Sequence, residues 1–273
     1  MQRTGHITRS HHRATFSYPL SLRQSIYSLV LVPILVLIFL FFFISSFSTV
    51  SASLQSISLT YVFAALGATL LRLLIAFVLA LIFSIPLALL VTHSRLAEHI
   101  FLPAFDIIQS VPVLAFFPVV IIFFVHYGLY SGAAIFILFL SMVWNIVFSL
   151  VGGFHSIPKD IKEAGIMFNV RGFAYLRKIL LPAIVPYLIT GSLLAWAQGW
   201  NIVIVAEVLH TYLPGGTNAS DVFGIGSVLV HASSGGQQQL FLTAIVIMII
   251  TIALINLFVW QKLLRYAERF KFE

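Results

Sequence analysis

Arg72 and Glu207 are ionisable residues set within long apolar runs. A charge in such a position is read first as functional, and each case is weighed against a structural role. Trp196, Gln198, Trp200 and Asn201 precede Glu207 in the same run, and Trp144 with Asn145 stands in another. These groups can line a route for a polar solute. They can also hydrogen-bond between helices, an interaction worth roughly 0.6–2 kcal/mol each. Glu207 fits a path or gate, or an interfacial packing role, and would repel an anion. Arg72 fits an attractor for an anion inside a bundle, or a topological anchor among headgroups. Asp106 fits a structural role at the start of a helix.

Bond-making chemistry finds no support in the sequence. The chain has no cysteine, and its nine histidines are scattered among tails, loops and the ends of apolar runs. None belongs to an H-E-x-x-H motif or to a helical pair backed by carboxylates, so no metal site is expected. Paired carboxylates and an activated nucleophile are also missing, which argues against an enzyme. No G-x-x-x-x-G-K-[ST] loop is present to cradle a nucleotide.

The other concentration of charge is "KEAGIMFNVRGFAYLRKILLP", 162–182, with Lys162, Glu163, Arg171, Arg177 and Lys178. The elements around it follow from composition. The chain has 273 residues, 60% hydrophobic and 8% charged, with mean hydropathy +1.07. A soluble domain averages about 25% charged residues. The chain is therefore read as an all-α integral membrane protein. Six apolar segments are long enough, or nearly so, to cross a ~30 Å hydrocarbon core: 26–47, 66–91, 110–125, 133–151, 183–208 and 240–264. The first follows a polar, basic tail and exceeds the ~7–15 apolar residues of a signal peptide, so it is read as an uncleaved span. Prolines such as Pro86 and Pro118 are tolerated in spans because neighbouring helices satisfy the freed backbone groups.

Of 15 lysines and arginines, Arg72 lies within a span. The rest fall before the first span (Arg3, Arg9, Arg13, Arg23), between the second and third (Arg95), between the fourth and fifth, or after the sixth (Lys262, Arg265, Arg269, Lys271). The alternate connections contain none. Six spans with both termini in the cytoplasm satisfy the positive-inside rule. The net charge of +7 thus records insertion, with no nucleic acid implied. The expected organisation is a tail, 1–25; a first span with its external connection, 26–65; a core of five spans, 66–264, carrying a cytoplasmic loop at 152–181; and a tail, 265–273.

The charged stretch then lies in the longest cytoplasmic loop. Pro158 suits a first helical turn, Ser156 a cap, and Asp160 and Glu163 the positive helix end. Ile161, Ala164, Ile166 and Met167 give the helix an apolar side. An interfacial helix bound to anionic lipid would have this character, and so would a docking element for a cytoplasmic partner.

The spacing supplies more. Glu163-Ala164-Gly165, Asn169 at the turn, then Ile179, Leu181 and Pro182 resemble the cytoplasmic loop of permease subunits from binding-protein-dependent ABC importers. In that loop Glu-Ala-Ala is followed after three residues by Gly, then after nine by Ile-x-Leu-Pro. All intervals agree, with Gly165 in place of the second alanine and Asn169 in place of the glycine. Gly165 should loosen the helix by about 1 kcal/mol relative to alanine, while asparagine can keep a left-handed turn. The resemblance extends over about 68–270. Arg72, Pro86, "LP" at 102–103, "QSVP" at 109–112, "IPKDIKEA" and "NIVIVAEVL" are similar to the nitrate/sulfonate/taurine branch.

This resemblance implies a type I ABC importer permease fold with six transmembrane helices and a cytoplasmic coupling helix at 158–168. It also implies an inner-membrane location and contact with lipid. The implied partners are two ATP-binding subunits, a second permease copy (a homodimer being expected) and an extracytoplasmic solute-binding protein. ATP and Mg would be bound by the partner ATPase, with no cofactor in this chain. Coupling contacts fall on Pro158, Glu163, Ala164, Gly165 and Asn169. Arg72, Trp144, Asn145, Gln198, Asn201 and Glu207 are the candidates for the translocation path. The solute implied is a small oxyanion such as nitrate, a sulfonate or taurine. A secondary transporter or channel working without an ATPase is the alternative, and would be favoured by inverted repeats, of which no clear sign is seen.

Overall fold

The computed structural model describes residues 59–158, 172–212 and 220–270, and within 159–171 only Asp160, Ile161, Glu163, Met167, Phe168 and Val170. All of them belong to one unit, 50–273. The expected first span, 26–47, lies outside the described residues, as do Ala164, Gly165 and Asn169.

The described chain is helical: α1 Leu59–Thr92, α2 Arg95–Ser110, α3 Val113–His126, α4 Tyr130–His155, α5 Gly172–Tyr175, α6 Leu181–Glu207, α7 Ile225–Ser234, α8 Gln238–Ile255 and α9 Gln261–Ala267. Segment Leu176–Leu180, between α5 and α6, is a π-helix, as is Asn256–Trp260 between α8 and α9. Pro182, which lacks an N–H, sits at the start of α6 and cannot donate into the preceding turn, which suits the wider π winding there. Among the described residues, four helices are long and apolar enough to cross a membrane: Leu59–Thr92, Tyr130–His155, Leu181–Glu207 and Gln238–Phe270. The pair α2–α3 makes a fifth if its two halves are one broken span, bent by 83°.

That bend falls at the start of the third expected span, 110–125. The sequence there reads Ser110-Val111-Pro112, and a residue before proline is driven out of the α region. Val111 accordingly has φ −71°, ψ 123°, and Pro112 has φ −53°, ψ 127°, so α2 stops and α3 starts afresh at Val113. The segment before the bend was read only as a connection. It forms a helix because Ser94 caps it, accepting from Ala97 N–H at 3.1 Å, with Glu98 in the first turn.

Helix α4 is the axis of the bundle, with α1 and α6 packed along it. Close approach is possible because small residues line the seams. On α1, Ala76, Ala80, Ser84 and Ala88 recur every four residues, and all are buried. Ser84 donates to the Val143 carbonyl of α4 at 3.1 Å. On the α4–α6 seam, a Cβ at Gly191 would stand 2.6 Å from Ser149 Cβ, and one at Gly153 would stand 2.8 Å from Tyr187 Cβ. In lipid, helix association relies on such packing and on interhelical hydrogen bonds, because the tails are as apolar as leucine.

Candidate functional site

Two regions carry the polar chemistry, at opposite ends of the bundle helices. The first lies where α6 ends. Glu207, its last residue, is completely buried, and Arg72 of α1 is 6% exposed. The Arg72 guanidinium pairs with Glu207, donating from Nη1 to Oε1, and donates from Nη2 to the Phe223 carbonyl. Thr69, one helical turn before Arg72, donates to the same Glu207 oxygen at 2.7 Å and accepts from Ile225 N–H at 2.9 Å. The other carboxylate oxygen accepts from Gly226 N–H at 2.8 Å. Val222 N–H reaches the Glu207 carbonyl at 2.9 Å.

This arrangement follows from local structure. Ile225 and Gly226 open α7, where helical N–H groups lack partners within the helix and the dipole is positive. A carboxylate fits there, and Glu207 supplies it. The approach is close: a Cβ at Gly226 would lie 2.8 Å from Ile204 Cα and 2.9 Å from Glu207 Oε2, so glycine is required. The apolar piece 222–230 is thus folded against the bundle, entering α7 at Ile225, with Val222, Ile225, Val228 and Leu229 buried.

Arg72 and Glu207 are the two path candidates that the structure brings together. Trp144 and Asn145 lie on α4. The Trp144 ring packs 5.4 Å from Phe105, centroid to centroid, and Asn145 donates to its own helix at Ser141 O, 3.3 Å away. Gln198 and Asn201 are exposed on α6, three residues apart on one face. An apolar groove of about 490 Å³ runs between α1, α6 and the end of the last span, past Phe77, Trp196 and Trp260. The indole N–H groups of Trp196, Trp200 and Trp260 are buried without a hydrogen-bond partner among the described residues.

The second region follows α4. His155 pairs with Glu98 of α2 at 3.1 Å, tying the end of α4 to the capped start of α2. Ser156 donates to Gly153 O at 2.8 Å and so closes α4, where the sequence suggested a cap for the next helix. Pro158 is exposed. Asp160, Ile161, Glu163 and Met167 have helical backbone, and Glu163 is exposed. Met167 and Phe168 are 84% and 81% exposed, large apolar side chains presented outward beside Glu163. Asp106 is exposed on α2 and accepts from Gln109 at 3.0 Å.

A further polar cluster, His210–Asp221–His231, stands on the connection beyond α6. A search for local histidine motifs misses it, because its members lie 10 and 11 residues apart on a turn, a bend and a helix.

Residues 80–264 match the family described as "Binding-protein-dependent transport system inner membrane component". Among curated relatives, the nitrate import permease protein NrtB of Leptolyngbya laminosa is 30% identical over 181 residues, 66% of this chain and 60% of that protein. The bicarbonate transport system permease protein CmpB of Synechococcus elongatus is 28% identical over 190 residues, covering 70% and 63%. The chain therefore spans less than two thirds of the length of these relatives. A chain of the MetNI methionine ABC transporter, in inward-facing conformations, superimposes with TM-score 0.64 at 18% identity, over 77% of this chain and 99% of that one. The fold is shared at that distance.

Proposed function

The chain belongs to the binding-protein-dependent transport inner-membrane components, and from that premise we propose that it is the permease subunit of an ATP-driven importer of a small oxyanion. The observation that carries the proposal is the extent of the family match, 80–264, which runs from α1 through the 152–181 loop to the last span. Nitrate and bicarbonate, named for the relatives, are planar oxyanions of similar size, and sulfonates and taurine share the anionic oxygen face. Solute selection would rest with a separate extracytoplasmic binding protein. Two permease copies would pair in the inner membrane, termini in the cytoplasm, with two ATP-binding subunits beneath them. ATP and Mg belong to those subunits.

The loop after α4 is the coupling element of this proposal. Pro158, Glu163, Ala164, Gly165 and Asn169 would sit in a groove of the ATPase. Met167 and Phe168 support this, since side chains of that size are costly to leave in water and gain by docking. The Glu98–His155 pair ties the end of α4 to α2, so displacement of the loop would be felt by two helices. A partner shifts the spans only by binding their two arrangements with different affinity. Trp144, Asn145, Gln198 and Asn201 remain the path candidates, with the exposed amides of Gln198 and Asn201 available to a hydrated anion.

Glu163→Arg tests the coupling. Solute uptake and solute-stimulated ATP hydrolysis are expected to fall at least tenfold while membrane insertion is unchanged. Wild-type uptake with a normal ATPase pull-down would defeat the docking assignment. Transport by the purified chain in vesicles without an ATPase would favour the secondary-transporter reading.

A further inference from the structure

His210, Asp221 and His231 come together from three segments: the 3-10 turn His210–Tyr212, the bend before α7, and the second turn of α7. Asp221 is the centre. Its side chain is 2% exposed, while those of His210 and His231 are 23% and 35% exposed. One carboxylate oxygen, Oδ1, accepts from the His210 backbone N–H at 2.9 Å. The other, Oδ2, is met by His210 Nδ1 at 2.8 Å and His231 Nε2 at 2.7 Å. The three potential ligand atoms all lie within 4.8 Å of one another.

We propose that this cluster is a binding site for a late first-row divalent cation of the Zn2+ type, held by His210 Nδ1, Asp221 Oδ2 and His231 Nε2. Two imidazoles and a carboxylate form a borderline-to-hard set that suits Zn2+ and its neighbours, and the chain offers no thiolate to compete. Ligands bonded at about 2.0–2.2 Å in tetrahedral geometry stand roughly 3.3 Å apart. The His–Asp contacts of 2.7–2.8 Å need an opening of about half an ångström, and the two imidazole nitrogens, within 4.8 Å of each other, must settle at the same separation. The partly exposed imidazoles can supply it by rotating. The His210 backbone N–H holds Oδ1 and orients the carboxylate, as outer hydrogen bonds do in metal sites, while His210 Nδ1 stands 2.9 Å from Oδ1 and 2.8 Å from Oδ2. Exposure on the histidine side leaves a fourth position for water.

The site does not depend on which solute is carried. The cation would join the turn after α6 to α7, whose Gly226 N–H holds Glu207, and so brace the connection over the buried ion pair.

The test uses the full-length chain in detergent, stripped with a chelator, in a background where His6, His11 and His12 are alanine so that the N-terminal histidines cannot contribute. Co2+ titration should give one equivalent per chain with the visible absorption of a four-coordinate ion, and Zn2+ should displace it. His231→Gln keeps a donor toward Asp221 but is a poor ligand. It should weaken Co2+ binding at least tenfold while leaving the metal-free melting temperature near wild type. Should that variant misfold, Asp221→Asn is expected to show the same loss. No Co2+ spectrum in the parent chain, or undiminished binding in both variants, would reduce the cluster to a hydrogen-bonded clamp and overturn the assignment.

Discussion

Arg72 and Glu207 make each other's burial tolerable. A guanidinium and a carboxylate taken out of water cost several kcal/mol each, and their attraction offsets this only when the remaining polar sites are also filled. Here they are: Thr69 and Gly226 N–H complete Glu207, and the Phe223 carbonyl completes Arg72. Removing one charge should therefore cost more than removing both. Glu207→Gln is expected to destabilise by about 3–5 kcal/mol, because the guanidinium is left buried without a counter-charge. Arg72→Met with Glu207→Gln should recover much of that loss, measured as thermal melting of the purified chain in detergent. A double variant no better than the single one would mean that the pair is not coupled. The sequence marks each residue as a charge out of place. It does not reveal their partnership, since 135 positions separate them and helical periodicity fixes a face but not the neighbour. The charged group of Arg72 is engaged by Glu207 and a backbone carbonyl.

Among the elements, the seam between α1 and α4 depends on small side chains rather than on large apolar ones. Ala80 is fully buried there, whereas Val78 and Ile82, two residues away on either side, are 43% and 59% exposed. Ala80→Leu should force the helices apart and cost about 1–3 kcal/mol, the usual range for overpacking. Val78→Leu should be neutral within error, and the two can be compared by detergent melting and by the yield of folded protein. Equal tolerance would show that the seam is not close-packed. The helices themselves are largely legible in the sequence, because an apolar run of about 20 residues has few alternatives in lipid. The expected spans at 66–91, 133–151 and 240–264 each fall within a helix of the structure, and 183–208 runs one residue past the end of α6. Helix ends and the α2–α3 bend are less legible. Hydropathy passes smoothly through Ser110-Val111-Pro112, and only the restriction imposed by proline on Val111 signals the break. Helix α2 was hidden for the opposite reason. Its three ionisable residues besides Arg95 (Glu98, His99 and Asp106) suggest a loop until the Ser94 cap and the one-sided apolar pattern are considered together.

For the whole molecule, the arrangement of charge leads to a directional expectation. Arg72 lies about 20 residues before Thr92, which is about 30 Å of helix, close to the thickness of a hydrocarbon core. The buried ion pair and the His210–Asp221–His231 cluster thus belong at one membrane face, and Arg95, Glu98, His155 and the charged loop at the other. In the sequence, the lysines and arginines of the connections share the side of Arg95, and the positive-inside rule leads to the expectation that this face is cytoplasmic. Because the chain contains no cysteine, single cysteines report their side of the membrane without background. Ser234 and Ser156 are exposed residues at the two faces. In intact cells, Ser234→Cys should react with a membrane-impermeant maleimide once the outer barrier is opened, while Ser156→Cys should react only after the inner membrane is permeabilised. The assay distinguishes orientation from folding, since both variants remain reactive in detergent. Labelling of Ser156→Cys from outside would place the loop where no ATPase works, and an importer driven through Glu163 could not then operate.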